Sequence, residues 1–303
     1  AIVITRNDEQ GRFYRLPSGR DDQATEKAAR ELKKQSSASY LTLSLIPDEK
    51  LDVRGIRHTW AMIYGLTTWS DYFTPRQALT LATLTRLVQK TAAKLESQTE
   101  SEFNTAVRTC LAFVTDKMAD KSSSLCRWKA SAEYMGGNTF GRQALPMLWD
   151  FCEANVLGEV TGDIASEVEW VEKVLRHVAD SVMAGGISET ASATSHPLPD
   201  DSANALFTDP PYYDAVPYAF LSDFFYVWLR RTLASVHGDL LAQPCVPKDS
   251  EIVVDRPHEL SNSTHNIAFY ERELTKAFSE SRRVLRPDSV GTVIFASKTT
   301  ASW

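Results

Sequence analysis

The run Asp209-Pro210-Pro211-Tyr212 holds residue types whose order could do chemistry. A carboxylate followed at once by a proline carbonyl places two hydrogen-bond acceptors close together, and two consecutive prolines stiffen the backbone so that neither must reorganise during a reaction. The exocyclic amine of adenine or cytosine is the group such a pair would serve. Its lone pair is delocalised into the ring, and accepting hydrogen bonds from both amine protons draws the nitrogen toward a tetrahedral, nucleophilic geometry. The same acceptors, the Asp209 carboxylate and the Pro210 carbonyl, oppose the positive charge that grows as the nitrogen is alkylated. Tyr212 offers a flat face to a base that has left its helical stack. The competing reading is a rigid Pro-Pro turn in which Asp209 caps the next segment and Tyr212 packs in a core.

The surrounding pattern supplies a place for this loop. Residues 204–208 (Asn-Ala-Leu-Phe-Thr) form a short apolar run, preceded by the turn-like Pro199-Asp200-Asp201-Ser202 and stopped by the prolines, which predicts a buried strand ending at the motif. Helices are predicted over 219–233 and 269–285, the second with Leu274, Phe278, Ser281 and Leu285 on one side. Arg286-Pro287-Asp288-Ser289 should break that helix before a second buried strand at 292–296. Strand, helix, helix, strand implies part of a parallel α/β sheet, and open sheets of that kind place reactive groups outside the carboxyl ends of their strands.

Upstream the pattern is helical. A strand-like start leads through a loop-like segment around Gly11–Gly19 into a helix over 21–34. Thr74-Pro75-Arg76-Gln77 has the form of a capping box with proline at the first helical position, and Leu81, Leu84, Val88 and Leu95 give its helix an apolar face. A further helix from about Glu100 carries Phe103, Val107, Cys110, Val114 and Met118. Another opens at Ser166-Glu167, carries Val171, Val174, Val178 and Val182, and stops at Gly185-Gly186. Two regions are expected: a mainly helical inserted domain over 1–186, and a catalytic part over 187–303.

With 303 residues, 43% hydrophobic and 24% charged, the chain is long enough for two cores or for one core with a large insertion. No apolar run reaches the length of a membrane span, and the start lacks the charge pattern of a signal peptide, so a cytoplasmic protein cut from a longer one is expected. Cys110, Cys126, Cys152 and Cys245 contain no Cys-x-x-Cys pair, and the six histidines have no ligand spacing, so no metal is assigned. The net charge of −6 argues against gripping nucleic acid by charge alone and makes local patches decisive. Arg230-Arg231 and the stretch Arg282, Arg283, Arg286, Lys298 are such patches, each readable as a phosphate-facing surface or as a solvated helix end.

On these residues the chain resembles a known family. Leu198-Pro199-Asp200-Asp201-Ser202, Thr208-Asp209-Pro210-Pro211-Tyr212-Tyr213-Asp214 and Leu221-Ser222-Asp223-Phe224-Phe225-Tyr226-Val227-Trp228-Leu229-Arg230-Arg231 are similar to the catalytic region of adenine-specific DNA methylases that carry a zinc ribbon. Blocks beginning at Tyr64-Gly65-Leu66-Thr67-Thr68-Trp69, at Cys126-Arg127-Trp128 and at Thr139-Phe140-Gly141-Arg142-Gln143 resemble others of that family. So does the segment from Phe295 to Trp303, where the family usually has His in place of Ser297.

The resemblance implies S-adenosyl-L-methionine as cofactor, DNA as partner, and part of a seven-strand Rossmann-like methyltransferase sheet with a helical insertion that reads the target. It also implies a role in restriction-modification or phage defence. Asp209, Pro210, Pro211 and Tyr212 are then the catalytic residues, with Asp209 at the edge of the cofactor pocket. The family's upstream glycine loop and zinc ribbon have no counterpart here, so a missing N-terminal cofactor-binding half is implied and the chain by itself should be inactive. Gly185-Gly186 follows a helix and is rejected as that loop. Tyr213, Arg127, Trp128, Arg142, Gln143 and Lys298 are candidate nucleic-acid contacts. For Arg127 and Arg142 the alternative is pairing with internal carboxylates, and for Trp128 it is filling a core. A methyltransferase acting on cytosine or RNA, and a DNA-binding module without catalysis, remain the other readings.

Overall fold

The computed structural model describes residues 2–4, 13–35, 39–40, 43–55, 59–96, 100–128, 137–158, 162–181, 185–214, 216–255 and 265–296. They form a mixed α/β structure with six α-helices and a small parallel sheet. β1 (Ile2–Ile4) pairs antiparallel with β2 (Phe13–Arg15), so part of the segment expected to be a loop is a strand. α1 (Gly19–Gln35) follows, opened by Asp21, which accepts from the Ser18 amide and pairs with Arg15 at 2.6 Å. β3 (Ser39–Tyr40) and β4 (Leu43–Ser44) form a second short antiparallel pair. Short 3₁₀ turns at Val53–Gly55, Trp60–Tyr64 and Trp69–Tyr72 lead into the helical body.

α2 (Pro75–Glu96) starts as its sequence dictates: the Thr74 amide donates to Gln77 Oε1 at 2.9 Å, and the Gln77 amide donates to Thr74 Oγ1 at 3.3 Å. α3 (Ser101–Lys121) packs on it; of its expected apolar face Val114 and Met118 are buried, but the first turns are not packed as that spacing predicts. Its buried positions include Asn104, Arg108, Ala112, Thr115 and Ala119, while Phe103 is 58% exposed. The polar members of that face serve helix ends. Asn104 Nδ2 donates to the Ala92 carbonyl near the end of α2, and Arg108 Nε donates to the Thr232 carbonyl at the end of the later helix α5.

α4 (Ile164–Ala179) is capped by Asp163, whose carboxylate accepts from the Ser166 amide at 2.8 Å, so the cap lies ahead of the expected Ser166. Its contact with α3 is made by Glu167, fully buried between Lys117 and Lys121. The expected apolar face of α4 lies open, with Val174 and Val178 both exposed.

β5 (Ala203–Thr208) and β6 (Leu285–Val293) are parallel neighbours, joined through α5 (Tyr218–Leu233) and α6 (Ile267–Val284). The order strand, helix, helix, strand is the expected one. β6, however, begins at Leu285, directly on the helix end. Arg286–Ser289 forms the irregularity between the pairs Ala203↔Leu285 and Ala205↔Val290, so the predicted break is a bulge inside the strand's span. The strands were expected to be buried and are not: Phe207 is 75% exposed and Val290 63%. A parallel pair is buried only when helices or further strands cover it, and among the described residues this sheet has two strands.

The main core does not follow the expected division at 186/187. Leu221, Phe224, Val227 and Trp228 of α5 join Trp69, Tyr72, Phe73, Leu81, Met118 and Leu145 in one cluster. α5 is therefore central to the helical body while forming the crossover of the parallel pair. Arg230 and Arg231, expected to face outward, are buried in the same region. Both donate to Glu49, at 3.0 and 2.8 Å, and Arg231 also binds the carbonyls of Ser44, Ile46 and Val227. The Arg282–Arg286 patch is likewise engaged: Arg283 pairs with Glu280 and Asp200, and Arg286 with Asp288.

Candidate functional site

β5 delivers the Asp-Pro-Pro-Tyr loop at its carboxyl end, where the Ile294 amide donates to the Thr208 carbonyl at 2.8 Å and extends the pairing by one residue. Asp209 is exposed, Pro210 buried, and Pro211 and Tyr212 are half-buried. The Tyr212 hydroxyl donates to Asp209 Oδ1. That bond, with some burial and the nearby negative charge, holds the Tyr212 phenol above its ordinary pKa. The Tyr212 ring meets Phe295, just past β6, edge to face at 5.3 Å.

Three contacts fix the loop from outside. The Tyr270 hydroxyl of α6 donates to the Pro211 carbonyl at 2.5 Å. The Val254 amide donates to the Tyr213 carbonyl at 2.9 Å, and the Tyr213 ring stacks on Tyr270 at 4.4 Å. They hold Tyr213 at φ 41°, a left-handed conformation that a bulky residue avoids and that persists only where its surroundings over-determine it. The Pro210 carbonyl receives no hydrogen bond from any described residue. The two acceptors singled out in the sequence thus belong to consecutive residues of a clamped loop. One is exposed and oriented by a neighbouring phenol, and the other lacks a partner among the described residues.

The candidate contacts in the helical part divide. Arg127 and Arg142 are exposed and form no ion pair with another described residue. Gly141 lies so close beneath the Arg127 guanidinium that an added Cβ would sit 2.2 Å from its terminal nitrogen, which places Arg127 beside Arg142. Gln143 is exposed, and half-buried Trp128 meets Tyr14 edge-on at 6.3 Å. Trp69, Tyr72 and Phe73 are core residues. Lys298 lies outside the described residues. No group of three or more His, Cys, Asp or Glu among the described residues is placed to hold a metal, and no helix there is long and apolar enough to cross a membrane. Sequence reasoning missed Tyr270 and Phe295 as supports of the loop. Tyr270 falls in the expected helix, but its contact reaches across 59 residues and leaves no local signal.

Compared with protein-family models, with curated proteins and with solved structures, the chain matches none.

Proposed function

We propose that this chain carries the catalytic loop of an S-adenosyl-L-methionine-dependent methyltransferase acting on an exocyclic base amine in DNA, with adenine as the base. In this reading β5 and β6 are two strands of a seven-strand Rossmann-like sheet, and the helical body is its insertion. The observation that carries it is the pairing of an exposed Asp209 carboxylate with an unengaged Pro210 carbonyl at the end of a parallel strand, on a loop held by Tyr270.

The residues present fit one wall of a cofactor site. Asp209 supplies a negative charge near a sulfonium, and Tyr212 and Phe295 supply ring faces suited to a cation. A glycine turn for close backbone approach has to come from sequence beyond these elements, since Gly185 and Gly186 stand apart from any strand end. When bound, the cofactor supplies an electrophilic methyl group. The chain's own part is positional: Asp209 and the Pro210 carbonyl each accept a hydrogen bond from one amine N–H, orient the nitrogen lone pair toward the methyl, and stabilise the charge developing on nitrogen. Tyr212 stacks on the extruded base, and its hydroxyl orients one carboxylate oxygen so that the other faces the amine.

The decisive measurement is methyl transfer by Asp209→Ala and Asp209→Asn variants of the complete gene product. Loss of roughly a hundredfold or more in kcat, with cofactor affinity little changed, is expected for removal of such an acceptor. Near-normal turnover in a folded Asp209→Ala protein would remove the loop from the chemistry.

A further inference from the structure

A second feature lies in the helical body, on the side of Arg127. Trp149 is 79% exposed, and Tyr64, itself 45% exposed, meets it edge-on at 5.7 Å with planes at 81°. An indole left this open forfeits the burial that normally places tryptophan inside. The T-shaped contact fixes its orientation while occupying at most one face. Two residues further on, Phe151 pairs across an isolated antiparallel bridge with Arg127 and is also exposed. Arg127 packs over Gly141, which brings Arg142 and Gln143 to the same neighbourhood, and neither side chain bonds a described residue.

Charge complements the rings. Arg127 and Arg142 are two cations without an ion pair among the described residues, on a chain of net charge −6. Glu153 is paired with Arg76 at 2.5 Å, and Asp120 accepts from the Phe140 amide at 3.1 Å. Asp150 is the exposed acid of the patch. Open aromatic faces interleaved with guanidinium groups form a stacking platform with phosphate contacts, a combination that fits an unpaired nucleic-acid strand better than a protein partner or a duplex. Bases of a duplex are stacked on one another and cannot lie on an indole.

We infer that Trp149, steadied by Tyr64, is a base-stacking platform for single-stranded nucleic acid, with Arg127 and Arg142 on the flanking phosphates and Gln143 within reach of a base edge. The surface is separate from the Asp209 loop. It shares with the proposed function only a nucleic-acid partner, and either can fail without the other.

The test is fluorescence anisotropy of the 303-residue chain with a labelled oligothymidylate of about 15 nucleotides and a duplex of equal length, at low salt, together with quenching of intrinsic tryptophan emission. Saturable binding of the single strand is expected, tighter than the duplex and accompanied by quenching. Trp149→Ala should weaken it by about 5- to 150-fold, the range for one stacked base, and Trp149→Phe should restore most of the loss. Arg142→Ala should lower the slope of log affinity against log salt by about 0.7, one phosphate contact on a single strand. Trp170→Ala, at an exposed tryptophan of α4 outside both surfaces, should bind like the parent, which ties the effect to the Trp149 surface. Unchanged affinity in a Trp149→Ala protein of normal circular dichroism, preference for the duplex, or no binding at all would each overturn the inference.

Discussion

The Tyr212 ring, which the sequence offers as a stacking face, is set edge-on to Phe295 with its hydroxyl on Asp209. The partner of the hydroxyl was not legible, because a hydrogen bond across a tight loop depends on backbone angles that four letters do not specify. The structure gives ring and hydroxyl different work, and the two can be separated kinetically. Tyr212→Ala should raise KM for DNA through loss of about 1–3 kcal/mol of stacking. Tyr212→Phe should leave KM near normal and lower kcat several-fold, because the carboxylate loses its orienting donor. Equal kcat in the Phe variant would show that the bond to Asp209 is idle during turnover.

Asp116 on α3 makes a different kind of statement. Burial alone pushes its carboxyl well above the ordinary carboxylate range, and Oδ1 has no hydrogen-bond partner. A raised folded pKa means that the fold prefers the neutral acid. Its stabilising contribution is full below the unfolded value and is lost as pH rises through the folded one. Asp116→Asn should therefore be more stable than the parent in mildly alkaline buffer, with the two melting temperatures converging as pH falls toward the unfolded carboxylate range. A constant offset at every pH would mean that the charge is not the cause.

At the scale of elements, the features the sequence announces are those governed by neighbours along the chain. The capping box at Thr74 is built as read, and the order of β5, α5, α6 and β6 follows from the change of period after Gly186. What was not legible is which face each helix turns inward. On α3 the apolar spacing points correctly to Val114 and Met118, but in the first turns it points to Phe103, whereas Asn104 and Arg108 are the buried positions there. These positions are decided by carbonyls at the ends of other helices, Ala92 of α2 and Thr232 of α5, and a helix read alone carries no trace of them. Arg108→Ala should consequently leave a buried carbonyl unsatisfied and cost about 1–3 kcal/mol. Urea denaturation would register it as a lower midpoint at unchanged slope. The aromatic pair Tyr64 and Trp149 escaped sequence reading for the opposite reason, since nothing local distinguishes an exposed tryptophan from a buried one.

At the scale of the whole molecule, one helix joins two kinds of architecture. α5 closes the helical core with Phe224 and Trp228 and also forms the crossover between β5 and β6, whereas no residue of β5 or β6 enters that core. Sequence composition supported two regions because the periodicity changes near 186, and the helical core takes α5 from beyond that point.

The open parallel pair has a consequence for the order in which the molecule comes apart. Its strands meet only after the long α5–α6 stretch has been placed, so loop-closure entropy must be overcome before the ladder gives anything back. With Phe207 and Val290 in solvent, little apolar burial then holds it shut. Native-state hydrogen exchange should show the amides of Leu206 and Phe207 opening at a free energy well below that of Met118 or Trp228, which should exchange only with global unfolding. Equal protection would mean that the sheet and the helical core unfold as one unit. The proposed reactive loop thus hangs on a pair of strands with little apolar burial, and mild denaturant should detach it from a helical body that is still folded.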